Sequence, residues 1–215
     1  MKASDWREQK KARTRANLQE HALRLFLEQG YDNTTVEQIA AAAGVSHMTF
    51  FRHFPTKEDV VLRDEYDPLL ESLIASRPTG EPPVTRVRSA LRDALGEVYP
   101  EAREAILVRT RLMLRTPALR ARSWENQHTT GRLLERALSG QAAPDLRTRV
   151  VAAACLAAIT TAIEAWADAD TSTASGTDAD TGTDAASGTG TAGGNAAELP
   201  ELIDQALAVL EGIDT

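Results

Sequence analysis

At 215 residues, 42% of them hydrophobic, the chain is long enough for one medium domain or for a small one joined to a larger one. A single cysteine, Cys155, excludes an intramolecular disulfide, and no Cys/His cluster has metal-ligand spacing, so neither a metal nor another cofactor is expected. No uninterrupted apolar run reaches about 18 residues, and no apolar stretch follows the charged start, so neither a membrane span nor a signal peptide is expected and the cytoplasm is the expected location.

The net charge of -7 argues at first against a nucleic-acid partner, but its distribution reverses that reading. Residues 1–15 carry Lys2, Arg7, Lys10, Lys11, Arg13 and Arg15 against Asp5 and Glu8, a local balance of +4 that leaves -11 for the rest. A basic N-terminal arm over 1–15 beside a helical module suits a DNA backbone; by charge alone it is equally a solvated tail.

Apolar positions recur at helical spacing almost throughout, and no alternating strand pattern is present, so the expected fold class is all-α. In the first helix Leu18, Ala22, Leu25 and Phe26 form one buried face, and Gly30 supplies a left-handed stop. The second helix opens at Thr34 or Thr35, because Thr34 with Glu37 and Thr35 with Gln38 both have capping-box spacing. Its inner face is Val36, Ile39, Ala40 and Ala43. Gly44 ends it, Val45 fills the turn, and Ser46 caps a third helix anchored by Phe50 and Phe54. Two short helices across a glycine turn are the helix-turn-helix arrangement, whose second member enters the major groove.

Pro55 ends the third helix, and Thr56 with Asp59 offers a cap for a fourth running from Lys57 to about Ser76. After the Pro78–Pro83 break, helices are expected at about 84–98, 101–115 and 117–139, separated by Pro100 and Pro117. Another follows Pro144, over about 145–167, with Val151, Cys155, Ala158, Ile159, Ala162 and Trp166 on one stripe. Residues 168–197 are almost entirely Ala, Thr, Gly, Ser and Asp and read as a disordered insertion. The G-x-G-x-x-G of Gly188, Gly190 and Gly193 lies inside that low-complexity run and not between a strand and a helix, so it carries no dinucleotide site. A last amphipathic helix from Leu199 to Ile213 is expected to pair with the helix before the insertion.

The stretch from Ala12 to Val61, with its LF pair, GYDNTTV, IAAAAGVS across the turn, TFFRHF and PTKED, closely resembles the DNA-binding domain of TetR-family regulators. The segment RTRLMLRTPALRARS, from Arg109 to Ser123, is similar to the C-terminal domain of the mycofactocin-regulator type. The resemblance implies a three-helix helix-turn-helix domain over 16–62, a helical ligand-binding and dimerisation domain over 63–215, and about nine helices. It implies a one-component transcriptional regulator, a repressor that binds a near-palindromic double-stranded DNA operator as a homodimer and is released by a small-molecule effector, hydrophobic or acyl-CoA-like. The alternative is a helical ligand-binding or interaction protein without sequence-specific DNA binding.

Carried onto this sequence, the resemblance makes His47, Met48 and Arg52 the base readers and Arg15, Thr35, Ser46, Thr49, His53 and Lys57 the phosphate contacts. Arg52 suits a bidentate guanine contact, His47 a purine acceptor and Met48 a thymine methyl. Lys57 is expected to point outward to DNA, whereas His53, between Phe50 and Phe54, is open to partial packing. The family usually has tyrosine where this chain has Phe51, and often glycine or another small residue in place of Met48. Without the phenolic hydroxyl, Phe51 is left as a packing group or a sugar contact. For the effector pocket the candidates are Arg109, Met113, Trp124 and His128, with Arg111 beside them; periodicity does not separate a pocket wall from filled core. No catalytic residue is expected: Cys155 with His128 is the only imaginable thiol pair, and neither lies in a catalytic motif.

Overall fold

The computed structural model describes residues 3–63, 67–175 and 197–213, and among them it forms nine α-helices and no strand. They are α1 (Ala3–Gln29), α2 (Val36–Ala42), α3 (His47–His53), α4 (Asp59–Leu62), α5 (Asp67–Ser76), α6 (Pro83–Arg115), α7 (Pro117–Ser139), α8 (Leu146–Ser175) and α9 (Leu199–Ile213). By contact the chain divides into two units, Met1–Asp67 with Pro100–Thr130, and Pro68–Tyr99 with Gly131–Thr215.

In the first unit the predicted stripe of α1 is the core: Leu18, Ala22 and Phe26 are buried, and Leu25 packs at its edge. Gly30, at φ +85, ends the helix, its N–H donating to the Phe26 carbonyl at 3.1 Å. The open choice at α2 falls on Thr35. Its hydroxyl accepts from the Gln38 N–H at 3.2 Å, and the Gln38 side chain accepts from the Thr35 N–H at 2.8 Å. Thr34 is buried and donates to the Gly30 carbonyl at 2.8 Å, which fixes the connection. Gly44 takes φ +67 in the turn, and Asn17 on α1 donates to the Ala43 carbonyl at 2.9 Å, holding the turn against the first helix. Phe50 of α3 and Phe54, the extended residue that follows it, lie fully inside.

Four expectations are corrected. The basic arm is not separate from the domain, because α1 begins at Ala3: no Gly or Pro interrupts 3–29, and Ala, Glu, Gln, Lys and Arg are good helix formers. The helix expected over Lys57–Ser76 is two, α4 and α5; Arg63 is extended, and residues 64–66 lie outside the described ones. Arg109 donates to the carbonyls of Val61 (2.9 Å) and Arg63 (3.1 Å), occupying acceptors that a further turn of α4 would need. Pro100 does not end a helix. It removes the bond to the carbonyl of Gly96, but both residues are exposed, so the freed acceptor is not buried and α6 continues. Lastly, α8 runs to Ser175, into the segment read as a disordered insertion, because extending a formed helix carries no nucleation penalty. Residues 176–196 of that insertion lie outside the described ones.

The first unit also gains Val108 and Leu119, buried in the same cluster as Phe50 and Phe54, with Leu112 and Met113 against it. The helix-turn-helix core therefore draws on α6 and α7, beyond the 16–62 boundary read from sequence.

In the second unit α9 packs on α8, with Leu199, Ile203 and Leu207 buried at i, i+4, i+8. Polar contacts set its register on α6. Arg88 forks onto Asp204 at 2.9 and 2.6 Å and reaches Glu211 at 2.6 Å; Arg92 also meets Asp204 at 2.6 Å, and Tyr99 donates to Glu198. The Arg88 bonds, with help from Arg92, hold the Asp204 carboxyl down at about 2. By length and composition Leu146–Ala169 is long and apolar enough to cross a membrane, a criterion that helices of soluble bundles also meet.

Candidate nucleic-acid interface

The face of α3 opposite Phe50 and Phe54 is open to solvent. His47, Met48, Phe51 and Arg52 lie along it at helical i, i+1, i+4 and i+5 spacing, and all four are exposed. Met48 keeps 66% of its surface in water and Phe51 39%. Arg52 makes no hydrogen bond or ion pair to a described residue, so its five donors are available.

Hydroxyls edge this face. Ser46 caps α3, its oxygen accepting from the Thr49 N–H at 3.2 Å and lying 2.9 Å from the Thr49 hydroxyl. One of those two hydroxyls donates to the other, which leaves one O–H of the pair for an outside acceptor. Thr35 is exposed at the edge of this face; its oxygen accepts in the cap and its hydroxyl also donates to the Glu37 carboxylate.

A positive cluster joins them. Lys11 and Arg15 sit one turn apart on α1, and with Arg52 their charges bear on His53. The Arg15 guanidinium rests 5.1 Å from the centre of the Phe54 ring. Burial, then the charges of Lys11, Arg15 and Arg52, push the His53 imidazole below its ordinary range, and its buried Nδ1 has no hydrogen-bond partner among the described residues. In the sequence Lys11 counts only toward the charge of the basic arm; the continuous helix, with its i, i+4 register to Arg15, sets it beside that phosphate candidate.

Lys57 is corrected. Its ammonium does not point outward but donates to the carbonyls of Tyr31 (2.9 Å) and Thr34 (3.0 Å), 4.1 Å from the centre of the Tyr31 ring. In the connection between α1 and α2 the Tyr31 carbonyl accepts from the Thr34 N–H at 3.3 Å, and the flexible Lys57 ammonium adds a second donor to it while also meeting the Thr34 carbonyl. Tyr31, missed in the sequence, completes the tie by donating to Glu58 at 2.9 Å; burial, then that carboxylate, pushes its phenol up, so it stays a donor.

The pocket candidates separate into two pairs. Arg109 caps α4 as described, and Met113, one turn on, packs against the helix-turn-helix core. Trp124 is 79% exposed, and His128, one turn further on α7, is exposed as well. A common lining of these four is therefore corrected: helical periodicity put them at plausible spacing but did not tell core from surface. Cys155 is fully buried, and burial pushes its thiol up to about 12, so it is a protonated core group at neutral pH.

The comparisons with known proteins agree with this arrangement. The family described as bacterial regulatory proteins, tetR family, matches residues 18–63, and the MftR C-terminal domain matches residues 81–182. The HTH-type transcriptional regulator TcmR of Streptomyces glaucescens is 38% identical over 158 residues, covering 68% of this chain and 70% of that protein. The chain belongs to the TetR family.

As a TetR-family protein it is a one-component transcriptional regulator with a helix-turn-helix DNA-binding domain; the reading without DNA binding gains no support. Its fold is also that of solved relatives. FadR of Thermus thermophilus, a TetR-family repressor in complex with lauroyl-CoA, is 24% identical, covers 92% of this chain and 93% of its own, and has a TM-score of 0.51. FadR of Bacillus halodurans is 17% identical, covers 93% and 95%, and has a TM-score of 0.52.

Proposed function

We propose that this TetR-family regulator represses transcription from the cytoplasm by binding a near-palindromic operator as a homodimer, and that a hydrophobic or acyl-CoA-like effector releases it. The observation that carries the DNA half is the outer face of α3, where four side chains able to meet base edges stand exposed on a helix fixed from behind by Phe50 and Phe54. His47, Met48 and Arg52 read bases. Lys11, Arg15, Thr35, Ser46, Thr49 and His53 hold phosphates.

A second copy suits the outer face of α8. Leu146, Val150, Ala153 and Ala157 are exposed in one stripe, as is Val209 on α9. A row of small and apolar side chains in water allows close helix approach by a partner. The lauroyl-CoA bound to Thermus FadR supports an acyl-CoA-like effector for this chain, acting by stronger binding to a dimer state whose reading helices are wrongly spaced. The protein acts by binding and not by catalysis.

Gel-shift titration with the best duplex selected from a randomised library tests the readers. Arg52→Ala is expected to weaken specific binding by about 1–3 kcal/mol per half-site and to relax the preference at one base pair, with His47→Ala acting at another. Lys11→Ala is expected to weaken all duplexes alike and to flatten the salt dependence by about 0.9 in log-log slope per phosphate lost. Unchanged specific affinity in both reader variants contradicts the assignment.

A further inference from the structure

We propose that Phe51, together with Met48, reads the C5-methyl groups of thymine, so that part of the operator is chosen by apolar contact. The inference rests on the DNA-binding reading above and goes beyond it by assigning Phe51, otherwise a packing group or sugar contact, to base recognition.

The ring of Phe51 is held on both sides. His47 meets it edge-on at 5.0 Å and 83°, and Phe50, itself fully buried, at 5.4 Å and 82°. Such edge-to-face pairs favour one ring orientation. Phe51 nevertheless keeps over a third of its surface in water, on the face that carries the base readers. A rigid, two-torsion side chain already in place loses little entropy when it is covered. Met48 lies one turn before it, two-thirds exposed, with a flexible thioether chain able to follow whatever the ring leaves open. A thiol, amide or hydroxyl at either position would offer hydrogen bonds; these two offer almost none.

The major-groove edge of a base pair presents one apolar group, the thymine methyl; its other groups are hydrogen-bond donors and acceptors. Against Phe51 and Met48 an adenine or cytosine amino group would be desolvated without a partner, which is costly. A thymine methyl loses only its own unfavourable contact with water. Attraction to thymine and exclusion of amino groups thus act in the same direction. Arg52, next in sequence and without a hydrogen bond or ion pair among the described residues, fixes the neighbouring base pair by hydrogen bonds and sets the register in which the methyl meets the ring.

Deoxyuridine tests this directly, because it pairs as thymine does, keeps the O4 acceptor and lacks only the methyl group. The wild-type full chain first selects a duplex from a randomised library, and each selected thymine is then replaced singly by deoxyuridine. One or two positions per half-site are expected to lose about three- to fivefold in affinity, the value of one buried methyl. In Met48→Ala and Phe51→Ala, which withdraw most of the apolar surface, the penalty at the corresponding position is expected to shrink while the other positions respond as in wild type. The exposed Met48 site and the modified DNA both leave the protein core intact, so a folding defect in the Phe51 variant does not obscure the result. A selected duplex that tolerates deoxyuridine everywhere with less than about a 1.5-fold change overturns the methyl reading and leaves DNA binding standing. Failure to enrich any duplex overturns both.

Discussion

Phe50→Ala is expected to abolish specific DNA binding by unfolding the helix-turn-helix rather than by removing a contact. Phe50 has no exposed surface, and its ring packs against Phe54 with centroids 5.9 Å apart and against Phe51 at 5.4 Å. It belongs to the cluster that joins Leu18, Phe26 and Ile39 to Val108 and Leu119. Truncating a phenylalanine in such a place costs about 3–5 kcal/mol, a large share of the roughly 5–15 kcal/mol that holds a whole domain folded. For a unit of this size the melting midpoint should fall by roughly 12–40 °C. Circular dichroism melting and gel shift on the same preparation check this. A variant that melts as wild type yet fails to bind would contradict the cause, and one that melts early but binds normally would contradict the role of this core in presenting α3.

Arg86 is the second position of large effect, and nothing in the sequence marked it. It is buried, and its guanidinium donates to the Ile74 carbonyl at 3.1 Å, the Ala137 carbonyl at 3.3 Å and the Leu138 carbonyl at 3.2 Å. Those carbonyls belong to the last turns of α5 and α7, where the helix dipoles present negative ends; the Ile74 carbonyl also accepts from the Arg77 N–H at 3.2 Å. One cation thus closes two helices. Arg86→Leu, similar in bulk, is expected to cost about 3–5 kcal/mol, because it strands the Ala137 and Leu138 carbonyls and removes the tie to α5 while keeping much of the packing. Arg86→Lys retains the charge but not the fork, and so should recover only part of the loss. Hydrogen exchange at residues 74–76 and 137–140 reads the effect at its source. Unchanged protection there in Arg86→Leu would show that the carbonyls find other donors.

The contrast between these two residues shows which parts of the molecule were legible. Around α2 and α3 nearly every boundary is written locally: Gly30 and Gly44 take positive φ where the chain turns, and Thr35 and Ser46 cap where a helix starts. Phe50 stood out because apolar spacing predicts burial. Its neighbour Phe51 shares the residue type but not the environment, and only the structure separates the anchor from the exposed ring.

Charged side chains were the hardest to place, because charge states what a group can bind and not where it points. Lys57 turns inward to two carbonyls of the α1–α2 connection, and Arg109 turns to α4 instead of lining a pocket. Both choices depend on acceptors distant in sequence. Proline was over-read at Pro100, where the freed acceptor lies in an exposed turn, and read correctly at Pro117, which opens α7, where a missing N–H removes nothing. Low-complexity composition was over-read in the same way between 168 and 175, where an already formed helix continues.

The central claim is that two copies of this chain present α3 to one operator. Sedimentation of the full chain with its selected duplex, over a range of protein-to-DNA ratios, tests it most directly. The account predicts saturation at two chains, or a multiple of two, per near-palindromic duplex, with half-sites about 34–36 Å apart and loss of specific binding when one half-site is scrambled. Saturation at one chain per duplex, or equal affinity for scrambled DNA of the same length, would contradict it.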